Sequence, residues 1–215
     1  MLKNIKANRI WQILYPLFVY YIFYNLLYGL FSYVFEESLG HVFCLMLSGL
    51  ITLIPEIIIY RKSPHIVVNW KISDKKELVR TVVGILLVTA FAIALNVLLS
   101  KAFIVHSSQA YDKASTALSD GSLPIKIMSN AIVIPILEEV LYRGIIAGQL
   151  YIWHGKMAAI IISSFCFGIL HFNIVQFLYA FLVGLMLGYL FLYSKKLWVP
   201  MVAHGLVNFI VILFS

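Results

Sequence analysis

The sequence predicts an all-α, polytopic transmembrane helix bundle of about seven spans. Of 215 residues, 62% are hydrophobic and only 12% are charged. Ordinary soluble domains run at about 45–50% and about 25%, so these side chains cannot supply a soluble surface. The polar residues are also clustered. They fall in short groups between apolar runs of about twenty residues, the length that crosses a bilayer.

Taken in order, Lys3, Lys6 and Arg9 precede a first apolar run, residues 10–35. It is too long for a signal-peptide core and lacks a small-residue cleavage site, so it reads as a retained span. Glu36, Glu37 and Ser38 close it. Residues 41–60 make the second span, with Pro55 and Glu56 near its end, where Glu56 is expected to snorkel at the rim. A basic loop, 61–80, carries six Lys/Arg. Residues 81–100 form the third span. The polar segment 101–124 is a loop with room for a short surface helix. Residues 125–150, 157–172, 174–193 and 197–214 supply the last four spans. Breaks are expected at His154-Gly155-Lys156, at Asn173 and at Ser194-Lys195-Lys196. There is one domain, in which 1–124 supplies spans and loops and 125–215 supplies a helical core rich in motifs.

Charge sets the orientation. With the N-terminus inside, thirteen of the sixteen Lys/Arg fall on the inner side or toward it, and Lys101, Lys113 and Lys126 fall outside. Cytoplasmic loops carry such an excess. The net charge of +7 is thus a topology signal and implies no nucleic-acid partner; the partner implied is the lipid bilayer. Cys44 and Cys166 lie within apolar runs and read as small buried hydrophobes rather than a disulfide framework. His41, His65, His106 and His154 sit near span ends or in loops and are expected in solvent.

The fourth span contains Glu138-Glu139-Val140-Leu141-Tyr142-Arg143. Carboxylates at that depth cost at least a few kcal/mol unless paired, protonated or wetted. Glu139 and Arg143 are i,i+4 neighbours on one helix face. Glu138 points about 100° away and needs another partner, which His171 on the next helix can supply. With about 1.5 Å of rise per residue, Glu138 lies about 20 Å from the outer end of its span. His171 lies about 21 Å, and Asn208 about 17 Å, from the inner ends of theirs. His204 is one turn from Asn208. Alone, each group has a bland explanation: a structural ion pair, a satisfied interior histidine, interhelical glue. Together, polar groups from three helices at matching depth point to a wet catalytic pocket.

Three ordered motifs give the pocket a precedent. Glu138-Glu139-x-x-x-Arg143, Phe167-x-x-x-His171 and His204-x-x-x-Asn208 resemble the pattern of the CAAX-prenyl-protease and bacteriocin-processing family, also called the Abi family of intramembrane proteases. The resemblance covers residues 125–214. It implies peptide-bond hydrolysis within the membrane. Glu138 would act as general base, with His171 binding or polarising the water. His204 and Asn208 would donate to the oxyanion, and Glu139 and Arg143 would orient Glu138. The implied substrate is a prenylated protein or a hydrophobic, bacteriocin-type peptide, reached from the inner leaflet or through a gap between helices. The implied location is a bacterial plasma membrane, with the N-terminus cytoplasmic. No cofactor is assigned. Two Glu and two His leave zinc open, although no H-E-x-x-H is present and Arg143 would repel a divalent cation. The competing reading is a non-enzymatic membrane protein: a bacteriocin immunity factor that acts by binding, or a proton-coupled transporter.

Overall fold

The computed structural model describes residues 8–100, 121–171 and 174–214. Among these every regular element is helical. Helix α1 is Arg9–Leu39. It starts where Asn8 Oδ1 accepts from the N–H groups of Ile10 and Trp11 at 3.0 and 3.3 Å, a side-chain N-cap. It runs through Glu36 to Ser38, which were expected to end it, and stops at Gly40, whose φ of 82° breaks the helical path. Helix α2 is His41–Lys62 and α3 is Lys75–Ser100. The start of α3 is capped reciprocally. Asp74 Oδ1 accepts from Glu77 N at 2.7 Å, and Glu77 Oε2 accepts from Ser73 N at 2.6 Å, close to a capping box. That moves the helix start six residues ahead of the expected span.

The next helix, α4, covers 123–154 and alternates two windings. It opens as Leu123–Lys126, widens to π-helix over Ile127–Val133, returns to α over Ile134–Glu139 and widens again over Val140–Ala147. The expected break at 154–156 is present. Gly155, with φ 79° and ψ −175°, interrupts Gly148–Ile169, so α5 covers 156–169. Helices α6 (Ile174–Ser194) and α7 (Trp198–Phe214) follow. The expected break at Asn173, the charges Lys3, Lys6, Lys101 and Lys113, His106, and the surface helix in 101–120 lie outside the described residues.

Among the described residues four helices are long and apolar enough to cross a membrane, α1, α2, α3 and α6; α7 is a shorter apolar helix. α1 turns Ile10, Phe18, Ile22, Leu26 and Leu30 outward, the arrangement of a lipid-facing helix. Burial concentrates on α4, where every residue from Glu139 to Leu150 is buried. One core cluster joins Leu141, Tyr142, Ile145, Ile146 and Leu150 to Phe167, Phe191 and Leu197. A second packs Ile85, Val88 and Ala92 of α3 against Val183, Leu187, Val199, Ala203 and Val207 of α6 and α7.

Two sequence expectations are corrected here. Glu56 does not snorkel. It is fully buried, and among the described residues neither carboxylate oxygen has a hydrogen-bond partner. The reason is that the end of α2 is covered: Tyr60 packs on Gly144, and His65 lies against Gly148. His41 and His65 are half-buried rather than solvated. The first hydrogen-bonds Tyr28 at 2.6 Å, and the second stacks 4.5 Å from the Tyr60 ring. His154 is exposed, as expected.

Candidate active site

Glu138 and Glu139 end the α-helical stretch of α4, and the wide π turn begins with the next residue. Their side chains diverge. Glu138 keeps 13% of its side chain exposed, whereas Glu139 is fully buried. π-helical segments are rare and concentrate at functional sites. Here one lies on each side of the acidic pair.

Behind the pair, Arg143 is fully buried. It donates from one guanidinium nitrogen to Glu139 Oε1 at 3.1 Å and from another to the Gly184 carbonyl at 3.1 Å. Its guanidinium carbon sits 4.8 Å from the centre of the Phe167 ring. Phe167 is the hub, touching Tyr142, His171 and His204 edge-on at 5.1, 5.3 and 5.6 Å. One aromatic ring thus spaces the cation and both histidines.

His204 bridges the two glutamates. Glu139 Oε1 accepts from Arg143 and lies 3.0 Å from His204 Nδ1, so that nitrogen donates to it. The other nitrogen, Nε2, lies 3.8 Å from Glu138 Oε2. α7 comes this close because of Gly205. A Cβ there would collide with the carbonyl oxygen of Ala131 on α4. His171 ends the turn after α5. Its Nδ1 is 3.0 Å from the Phe167 carbonyl, an acceptor, so Nδ1 carries the proton and Nε2 is left as a lone pair. Asn208 donates from Nδ2 to the Asn130 carbonyl at 2.8 Å.

Glu138, His171, His204 and Asn208 line one cavity of about 670 Å³, within the usual range for ligand sites. Glu139 and Arg143 lie behind its wall. The arrangement modifies the expected pairing: the histidine shown bridging to Glu138 comes from α7, and His171 is oriented by its own helix end. The sequence reading also missed Asn130, Asn96 and Gln176, which line the same cavity. Asn130, Ile134 and Glu138 recur every fourth residue, and that spacing was the available signal. The donor set does not fit zinc. Among the described residues no three His, Cys, Asp or Glu converge on a common point, and Glu139 Oε1 is taken by Arg143 and His204.

Residues 120–210 match the family model described as Rce1-like, type II CAAX prenyl endopeptidase. The likeness to the Rce1-like family lies in this segment, which is less than half of the chain. The match contains all seven motif residues and ends within α7. A relative from Bacillus subtilis (strain 168), described as "Putative membrane peptidase YdiL", is 37% identical over 94 residues, which is 44% of this chain and 38% of that protein. The chain therefore aligns with about two fifths of that relative's length. No solved structure matches.

Proposed function

We propose that the protein is an intramembrane endopeptidase that hydrolyses a peptide bond with water activated by Glu138 and His171. The observation that carries this reading is the cavity wall. Three helices bring a carboxylate, two imidazoles and a carboxamide to one space, and a buried Glu139–Arg143–His204 network fixes their positions. The relatives' descriptions as peptidases support it.

The reaction follows from the proton inventory. A water held between the Glu138 carboxylate and the His171 Nε2 lone pair attacks the carbonyl carbon, and its proton passes to Glu138. The oxyanion that forms takes hydrogen bonds from His204 Nε2–H and from the second amide N–H of Asn208. His204 donates there when both of its ring nitrogens carry protons, with Nδ1–H held by Glu139. The C–N bond then breaks, and the proton on Glu138 passes to the leaving amine. A positioned general base contributes typically 10²–10⁴-fold, and one oxyanion donor about 10²–10³-fold. Substrates in keeping with this reading are prenylated proteins and hydrophobic peptides of the bacteriocin type. The membrane is then a bacterial plasma membrane with the N-terminus cytoplasmic.

The test uses the purified protein in liposomes with a fluorogenic prenylated peptide and a panel of hydrophobic leader peptides. Glu138→Ala and His171→Ala are expected to lower kcat at least about a hundredfold at unchanged thermal stability. Equal turnover by wild type and Glu138→Ala would exclude the base and leave a protein that acts by binding.

A further inference from the structure

The two ends of the bundle differ in charge, and the cavity belongs to one of them. Several contacts show which loops share an end. Arg9 stacks 5.7 Å over Trp153. Asn69 N–H donates to the Lys195 carbonyl at 3.1 Å. Lys196 pairs with Glu77 at 2.9 Å, and His65 lies against Gly148. The start of α1, the α2–α3 loop, the α4–α5 break and the α6–α7 turn therefore lie together. Among the described residues that end carries Arg9, Arg61, Lys62, Lys71, Lys75, Lys76, Arg80, Lys156, Lys195 and Lys196; the opposite end carries Lys126. Ten against one is a strong bias toward a cytoplasmic basic end.

The cavity extends from Glu138 toward the other end. Its wall follows Ile134 and Asn130 back along α4, Asn208 and Ile212 up α7, and Leu99 near the end of α3. Toward the basic end the way is closed. α4 is buried without interruption from Glu139 to Leu150, packed on Phe191 and Leu197. The α5 segment 156–169 is only about 21 Å long at 1.5 Å per residue, so its end at His171 stops short of the far face and leaves room for the cavity.

We infer that the cavity opens to the face of the membrane away from the cytoplasm, and that its substrate is a hydrophobic peptide segment delivered from that face, already exported or inserted in the bilayer. A lipidated C-terminus presented in the cytosol would meet the closed end. The substrate half of this inference rests on the peptidase reading; the direction of opening does not.

Single cysteines test the direction in a Cys44→Ala/Cys166→Ala background, with a membrane-impermeant maleimide applied to intact cells and to opened membranes. Leu99→Cys and Ile212→Cys report the cavity, Ser122→Cys the far end, and Lys71→Cys and Lys156→Cys the basic end. The expected result is labelling of the first three in intact cells and of the last two only after opening. The reverse pattern overturns the inference. So does labelling of Ser122→Cys from outside with the cavity positions reached only after opening. The leader-peptide panel added to intact cells then tests delivery. Glu138-dependent cleavage outside supports it, and cleavage only in opened membranes overturns it. A protein that labels as expected but cleaves no peptide on either side retains the direction and loses the peptidase reading, so the two failures are distinct.

Discussion

Arg143 shows how much one buried side chain can hold. It spends its charge on Glu139, a second donor on the Gly184 carbonyl and its flat face on Phe167. Lysine keeps the charge but has neither fork nor face. Arg143→Lys is therefore expected to keep a folded protein while Glu139, Phe167 and His204 lose their common reference. Turnover should fall at least about tenfold, the cost of roughly 1.4 kcal/mol in the transition state, with KM little changed; steady-state kinetics beside a melting curve check both. Arg143→Ala should cost more stability, about 3–5 kcal/mol, because Glu139 is left as an unpaired buried charge. The Glu139–Arg143 pair was legible in the sequence because helical spacing alone makes those positions neighbours. The surroundings of Glu138 were legible in part: His171 lies near enough to act on its charge, and His204 joins it at 3.8 Å. Both histidines lie at suitable depths, and what separates them is local: the Phe167 carbonyl at a helix end orients His171, while Glu139 draws His204 between the two carboxylates. Glu56 shows the same limit. Its distance from the end of a span suggested a wet rim, but Tyr60 on Gly144 covers that rim.

At the scale of elements, the deciding contact is α7 against the widened first part of α4. Gly205 lies beside His204 and meets the Ala131 carbonyl, a backbone atom that no rotamer change can move. Gly205→Ala is expected to push α7 outward, separate His204 from Glu139 and weaken the Asn208–Asn130 hydrogen bond. Activity should drop more than about tenfold and thermal stability should fall, since overpacking costs typically 1–3 kcal/mol. Gly29→Ala, where an added Cβ meets nothing within 4 Å, is the control and should match wild type in both assays. The order of the described helices was legible from hydropathy, and Gly155 between His154 and Lys156 marked the α4–α5 break. The π-helical windings were not. Nothing in the composition of Ile127–Val133 or Val140–Ala147 marks a wider turn; the first packs against α7 and α2 and the second against α2 and α5. Helix ends shifted wherever caps decided them, as at Asp74, because hydropathy does not register a cap.

At the scale of the whole molecule, the family match and the folding unit have different borders. The match begins at residue 120, yet the motif-bearing helices do not enclose their own cavity. Asn96 and Leu99 of α3 form part of its wall, and Ile85, Val88 and Ala92 complete the core beneath α6 and α7. On the basic side, Lys196 is almost fully buried and its ammonium pairs with Glu77. Without α3 that charge would lose its partner, and the apolar faces of α6 and α7 would lose theirs. Helix α3 is thus a structural partner of the site, although its sequence carries no motif. The fragment 121–215 expressed alone is expected to be degraded or inactive. Coexpression with the fragment 1–100 should restore a complex that co-purifies and cleaves the same peptides, because contacts between packed helices, not chain continuity, hold α3 in place. Adding Glu77→Gln to the first fragment should weaken that recovery, since the buried Lys196 ammonium would meet a neutral amide in place of a carboxylate. Full activity from 121–215 by itself would show that the site is self-sufficient and that α3 only lies beside it.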